Sequence, residues 1–406
     1  MSTITQTPAA AFGHTSDVAH RPLCIVLVVS NLEFGGTQRQ VVELANHLDE
    51  ARFAVHLCCL SEFVPLADKL RRSDTRLHII KKRHKFDLTV VPRLARLLRK
   101  LRADLVHGFL FDADIAARLA GRLAGVGAVL GSERNTNYTL TRRQLLSYRL
   151  TRGCVDLVVA NSEAGARFNS RMLRQDPSKY RVVHNGVDID TFAPRDGAPA
   201  RKALGLRESD PVVGMFASFK PQKNHAMFFA AARRLLDDLP DTRFLLVGDE
   251  LHGGLHGSDA YKQRMVRLLA ELGLKERCLC LGNQVDVARL YNACDVTVLP
   301  SLHEGTPNVL LESMACAVPV VATNVSDNAH IVPHDKAGYL VEPGDDRMMA
   351  VHLREILTNH ARRREMGAAA RQWVTEMFST KVLARRMGDT YEALLATRPD
   401  ARRPRL

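Results

Sequence analysis

Short apolar runs rich in β-branched residues alternate with longer segments of helical period from residue 23 to about 360. Runs such as Leu23-Cys-Ile-Val-Leu-Val-Val carry no polar alternation, so they read as strands buried on both faces of a parallel sheet, with the periodic segments as crossover helices. The predicted fold class is α/β. In the first half strands are expected near Cys24–Val29, Ala54–Cys59, Leu77–Ile80, Asp104–Gly108, Ala128–Gly131, Leu157–Ala160 and Arg181–Val183. In the second half they fall near Pro211–Phe216, Arg243–Val247, Cys278–Leu281, Val296–Leu299, Val318–Ala322 and Gly338–Val341. This exceeds one doubly wound sheet, so two such domains in succession are expected.

The pattern predicts a loose tail over 1–22, a first domain over 23–184 and a linker over 185–206, where Asn185-Gly186 gives a turn and Ala193 to Ala200 lacks periodicity. A second domain follows over 207–378, and 379–406 reads as a helix returning to the first domain and then a tail. Each half opens alike, with a strand, a loop and a helix that starts at Thr37 or about His225. Ligands of open α/β sheets bind outside the carboxyl ends of the strands, so the cleft between the halves is the expected site.

Composition narrows this only a little. With 406 residues, 46% hydrophobic and 25% charged, the chain has ample material for buried cores. No stretch approaches the roughly 18 consecutive apolar residues of a membrane span. The polar, Ala-rich opening lacks the basic start and apolar block of a secretion signal, so a cytoplasmic protein is expected. Eight scattered cysteines with no CxxC pair suit reduced core thiols. A net charge of +13 favours anionic partners without choosing among phosphorylated substrates, acidic lipid and nucleic acid.

The most informative segment runs from Leu299 through Glu304, Gly305, Thr306, Pro307 and Asn308 to Glu312. It follows a strand, turns at Gly305 and starts a helix, with Thr306 as the expected N-cap and Pro307 at the first helical position. The free amides of that first turn and the positive end of the helix dipole favour a phosphate. At 1.5 Å per residue Glu312 sits roughly 7 to 8 Å down the axis, about the distance from a diphosphate to the far side of its ribose. Glu304 would lie beyond the phosphates, near whatever they carry. Lys223, held before a helix by the Pro221 turn, is placed to neutralise a leaving diphosphate. In Phe34-Gly35-Gly36-Thr37 the glycines let backbone approach a ligand. Neither GxGxxG nor GxxxxGK occurs, so dehydrogenase and P-loop readings lose their fingerprints. Asp112-x-Asp114 and Asp188-x-Asp190 spell DxD, yet one opens a helix and the other sits at the hinge, so no metal site is expected. His252 to His256 reads as a loop over the ligand.

From about Val26 to about Glu376 the chain resembles the GT-B glycosyltransferases of the large retaining group called family 4. The resemblance rests, in order, on Arg181-Val-Val-His-Asn-Gly-Val-Asp, the Lys223 loop, Val247-Gly248-Asp249, the Glu304-x7-Glu312 segment and Gly338-Tyr-Leu-Val-Glu-Pro-Gly-Asp. It implies two Rossmann-like domains facing each other across a cleft and a nucleotide-sugar donor, with no cofactor or metal required. It further implies that Glu312 binds the nucleotide ribose, Glu304 lies against the donor sugar and Lys223 holds the diphosphate. Gly305, Thr306, Pro307 and Asn308 would line the phosphate site, Gly36 would approach from the first domain, and Gly248 would sit on the donor side. Relatives commonly carry an arginine where this chain has Ser218, and Lys220 is the candidate replacement. Relatives often carry a cleft histidine at the place that looks like Phe109, which leaves His107, Asp112 or neither for that role. Arg134 and Asn135 complete the expected acceptor side.

The segment Lys81 to Arg102 holds nine Lys or Arg against one acid, Asp87, with apolar residues at helical spacing. It reads either as a crossover helix with a solvated basic face or, with Arg142, Arg143, Arg149 and Arg152, as a face resting on anionic lipid. The expected function is transfer of a sugar, with retention, from a nucleotide-diphosphate sugar, UDP-linked for preference, to a glycan or a polyprenyl- or lipid-linked acceptor. Surface polysaccharide or glycolipid assembly on the inner face of the plasma membrane would use such an enzyme. The alternatives are a nucleotide-sugar epimerase of the same fold and a basic nucleic-acid binder; no RRM, KH or zinc-finger signature supports the latter, and no nucleic-acid partner is expected.

Overall fold

The apolar runs assemble as two all-parallel sheets. The first contains β1 (Leu23–Val29), β2 (Phe53–Cys59), β3 (Leu77–Ile79), β4 (Leu105–Phe109), β5 (Ala128–Glu133), β6 (Leu157–Ala160) and β7 (Tyr180–Val182), in the order β3-β2-β1-β4-β5-β6-β7. The second contains β8 (Val212–Phe216), β9 (Arg243–Val247), β10 (Cys278–Gly282), β11 (Val296–Leu299), β12 (Val320–Thr323) and β13 (Gly338–Val341), in the order β10-β9-β8-β11-β12-β13. The computed structural model describes residues 21–33, 35–84, 87–134, 140–250 and 257–397.

Every expected strand has a counterpart, displaced by at most two residues at its ends. Strand order reverses beside β1 in one sheet and beside β8 in the other, which opens a crevice at each carboxyl edge. Central strands are continuous apolar runs because helices cover both faces. On one face of the first sheet, Val41, Leu44 and Ala45 of helix Gly36–His47 pack with Leu383, Met387, Tyr391 and Leu395 of helix Thr380–Ala396. The other face is covered by Val90, Leu94 and Leu98 of helix Val90–Leu101 and by Ala113, Ala117 and Ala120 of helix Phe111–Ala124.

The chain passes between the lobes twice, side by side. Val187 donates its amide to Phe378 O at 2.8 Å, and Thr380 donates to Val187 O at 3.0 Å. The linker contains a helix that its sequence hides, Ala198–Ala203. Only Ala200 is buried in it, so no period shows, and Arg201 anchors it through Asp295 at 2.9 Å. Arg21, read as tail, pairs with Asp104 at 2.8 Å.

The basic segment around helix Val90–Leu101 packs as an ordinary crossover helix, with Arg93 on Asp87 at 2.9 Å and Lys82 on Asp112 at 2.6 Å. Among the described residues no helix is long and apolar enough to cross a membrane.

Candidate functional site

β11 ends at Leu299, and a loop that opens with Pro300 carries the chain over the sheet edge to helix Asn308–Ala315. On the neighbouring strand β8, the loop after Phe216 closes in a single turn, Pro221–Lys223, which Asn224 ends with a left-handed φ of 49°. The two loops are tied together. Leu302 donates its amide to Gln222 O at 2.8 Å, and Gln222 Nε2 donates to His303 O at 2.7 Å. This frame brings Lys223 Nζ to 2.5 Å from Glu304 Oε1, with both side chains largely buried. Glu304 is further held by its amide, which donates to Ser326 Oγ at 3.0 Å.

The first lobe supplies the facing wall. A Cβ on Gly305 would lie 2.6 Å from Asn161 Oδ1, so glycine there permits the lobes to approach. A Cβ on Gly36 would lie 3.1 Å from Asn308 Nδ2, which sets the start of helix Gly36–His47 opposite the start of helix Asn308–Ala315. Apart from Leu310 N, which donates to Pro307 O at 3.2 Å, the first-turn amides of both helices lack intrahelical partners, so two positive dipole ends meet across the cleft. Asn185 Nδ2 donates to Thr306 O at 3.0 Å and to Asn308 Oδ1 at 2.7 Å, and its Oδ1 accepts from Arg134 Nη2 at 2.5 Å. These groups enclose a cavity of about 270 Å³ bounded by both lobes, with Gly36, Thr37 and Arg134 on one side and Lys223, Glu304 and Asn308 on the other.

Glu312 lies one helical turn deeper. Tyr291, stacked on Phe216 with ring centroids 3.8 Å apart, donates its hydroxyl to Glu312 Oε2 at 2.8 Å. Burial raises the carboxyl above its ordinary range, with the charge of Arg39 and the Tyr291 bond opposing.

Among the expected site residues, Glu304, Lys223, Thr306, Pro307, Asn308, Gly36 and Arg134 line the cavity, and Gly305 lies against Asn161 at its edge. Several expectations need correction. Thr306 is not the N-cap and Pro307 is not the first helical residue. Pro307 itself has the extended capping geometry (φ −74°, ψ 112°), and the Thr306 hydroxyl is drawn instead to the carbonyl of Asn161 in the other lobe. His107 does not reach the cleft. It is fully buried under helix Thr380–Ala396, with Nδ1 2.9 Å from the Tyr391 hydroxyl, and burial with the charge of Arg134 pushes its pKa down to about 3. Asp112 is exposed and paired with Lys82, and Asp114 is buried with Arg118 at 2.9 Å, so the first DxD serves packing.

Ser218, Lys220 and Gly248 do not line this cavity, although Lys220 lies near enough to feel the charges of Lys223 and Glu304. Gly248 has φ 132°, and a Cβ there would come within 2.2 Å of Ala217 O, so close backbone approach accounts for this glycine. Asn135, the loop from His252 to His256 and Phe34 lie outside the described residues. Among those described, no three His, Cys, Asp or Glu side chains gather as metal ligands.

Sequence reasoning missed Asn161 and took Asn185 only for a turn. A legible signal existed for the first: it stands between the end of β6 and Ser162, which caps helix Glu163–Leu173 by accepting from Gly165 N at 3.0 Å. A second cross-lobe contact was equally unforeseen. Asp327 accepts from the amides of Glu163 at 2.6 Å and Ala164 at 3.0 Å, and its Oδ2 lies 3.1 Å from His184 Nε2. Burial would raise this carboxyl, yet the His184 and amide bonds outweigh it and hold its pKa below the ordinary range.

Residues 34–191 match the family described as Glycosyltransferase Family 4, and residues 198–373 match Glycosyl transferases group 1. A galactosyltransferase of Escherichia coli, UDP-Gal:alpha-D-GlcNAc-diphosphoundecaprenol alpha-1,3-galactosyltransferase, is 30% identical over 329 residues, covering 76% of this chain and 81% of that protein. D-inositol 3-phosphate glycosyltransferase of Mycobacterium sp. (strain KMS) is 37% identical over 192 residues, which span 47% of this chain and 42% of that one. In structure the chain is similar to Anabaena HepE, solved in complex with UDP, with a TM-score of 0.79 at 20% identity over 91% of this chain and 100% of that one.

Proposed function

Because this chain belongs to the family 4 glycosyltransferases and has their GT-B architecture, we propose that it moves a sugar, with retention, from a UDP-linked donor to a polyprenyl-linked or glycan acceptor. It is an enzyme that uses a nucleotide-sugar donor. The observation that carries the finer reading is the meeting of two helix N-termini over the Lys223–Glu304 pair. A diphosphate seated there would accept from the first-turn amides and draw Lys223 toward its oxygens, while Glu304, released from full pairing, would face the sugar. Charge grows on the leaving diphosphate as the glycosidic bond breaks, so groups fixed at that place stabilise the transition state more than the ground state. We infer a front-face path with an oxocarbenium-like transition state, in which the departing diphosphate helps take the acceptor proton. Lys223 and the helix termini supply the positive charge, without a divalent ion.

The UDP-Gal and diphosphoundecaprenol in the name of the E. coli relative favour a UDP donor and a lipid-linked acceptor for this chain. The decisive measurement is UDP release from a panel of UDP-, GDP-, ADP- and dTDP-sugars with and without a polyprenyl-diphosphate-linked sugar. Acceptor-dependent UDP release with a new glycosidic product is expected. Release favouring another base, or conversion of the donor to an isomer with no coupled product, would refute the assignment.

The membrane component of this reading rests on helix Arg142–Thr151, which follows the cleft residue Arg134 in the chain. Its Leu146 and Leu150 are 57% and 75% exposed, four residues apart on one face, beside Arg142, Arg143 and Arg152. Apolar residues rimmed by arginine suit an anionic bilayer, each charge near such a surface being worth about 1 kcal/mol. Co-sedimentation with vesicles containing anionic lipid is expected to exceed that with zwitterionic vesicles, and to fall about tenfold in L146S/L150S. Equal sedimentation of both proteins would remove this helix from the contact.

A further inference from the structure

Three charged side chains line the cleft cavity: Arg134, Lys223 and Glu304. Lys223 and Glu304 compensate each other at 2.5 Å. Arg134 has no carboxylate within ion-pair distance among the described residues; its guanidinium donates through Nη2 to the neutral Asn185 amide oxygen, and its Nε, shut off from solvent, has no hydrogen-bond partner among them. Burial pushes its pKa down to about 10, which still leaves it charged at neutral pH. A sheltered, uncompensated guanidinium is costly to maintain, and the cost is relieved when an anion arrives.

The backbone fixes where that anion must sit. Arg134 directly follows β5, and its carbonyl accepts from Asn161 Nδ2 at 3.1 Å, so its position is set by the cleft edge of the first sheet. Its side chain reaches Asn185, which in turn holds Thr306 O and Asn308 Oδ1 at the start of the second-lobe helix. The guanidinium is therefore one amide side chain away from the amides expected to hold phosphate. A planar fork of N–H donors matches a phosphoryl group better than a point charge would.

We propose that Arg134 binds a phosphoryl oxygen of a substrate in the cleft, as a cation contributed by the first lobe. The phosphoryl group belongs either to the donor diphosphate or to a phosphate of the acceptor. This inference rests on the nucleotide-sugar reading above, and its test separates the two. Wild type, R134Q and R134K are titrated in a calorimeter with UDP, with uridine, and, once saturated with UDP, with inorganic pyrophosphate. If the donor diphosphate is the ligand, R134Q loses at least tenfold in UDP affinity while uridine binds as in wild type, and R134K recovers part of the loss. If the acceptor phosphate is the ligand, UDP affinity holds and pyrophosphate binding to the UDP-loaded enzyme falls at least tenfold. Unchanged binding of both phosphate probes, or an equal loss for uridine and UDP, overturns the role of Arg134. Failure of the wild type to bind UDP would instead strike the nucleotide-sugar reading itself.

Discussion

Replacement of Lys223 by Ala is expected to lower kcat by about 10²–10³-fold at saturating donor, the range seen when one fixed charge-stabilising group is removed from a reaction centre. KM for the donor should move much less, because the charge that Lys223 meets grows as the leaving group departs. The same substitution strips Glu304 of its partner at 2.5 Å in a largely buried place. An orphaned buried carboxylate destabilises a fold by up to about 3 kcal/mol, so the melting temperature of Lys223→Ala should fall as well. The double variant Lys223→Ala/Glu304→Gln separates the two effects: removing the orphaned charge should restore most of the stability and none of the turnover. Steady-state kinetics and thermal unfolding on the three proteins decide it. A single variant with wild-type kcat would show that Lys223 takes no part in the chemistry.

Glu312→Ala should weaken donor binding by about 2–3 kcal/mol, the usual worth of hydrogen bonds to a charged group. The carboxylate is already orientated by the Tyr291 hydroxyl at 2.8 Å, and Tyr291 is fixed by stacking on Phe216, so the acceptor atoms are in place before a ribose arrives. Tyr291→Phe should therefore show a smaller loss of the same kind, near 1 kcal/mol. Burial raises the Glu312 carboxyl, and only its ionised form accepts two hydroxyl protons. Donor affinity should accordingly decline on acidification from a pH above the ordinary glutamate value of about 4.3. Calorimetric titration of UDP across pH on wild type and both variants is the measurement. Undiminished affinity in Glu312→Ala would break the link between this glutamate and the nucleotide.

Much of the scaffold was legible because it is written in local pattern. Uninterrupted Val, Ile and Leu runs such as β1 and β8 can be satisfied only between two layers of helix, and that alone predicts the parallel sheets. The chemistry of residues 304 to 312 was legible for a similar reason, since the strand, turn and helix that create it are contiguous. What sequence could not give are the groups that meet only after the lobes close. Asn161, Asn185 and Asp327 are ordinary loop polars until each finds a partner more than a hundred residues away, as Asn185 does in Thr306 and Asp327 in Glu163. His107 failed in the opposite way. A histidine in a strand is suggestive, but strand alternation turns it toward the Tyr391 layer rather than the cleft. Thr306 shows how a strong local preference yields to a distant carbonyl, and the helix over 198–203 shows how a single buried alanine leaves no periodic trace.

The paired crossing at Val187 and Ser379 also governs how the protein can be dissected. Leu383, Met387, Tyr391 and Leu395 complete the hydrophobic core of the N-terminal half although they follow the whole second sheet in the chain. A fragment ending at residue 186 would expose the sheet face those side chains cover, and one starting at 187 would carry an apolar helix with nothing beneath it. During synthesis the N-terminal half must wait for the whole C-terminal half before its own interior is sealed, so the two halves mature as one unit and cannot be traded between relatives by a single cut at the linker.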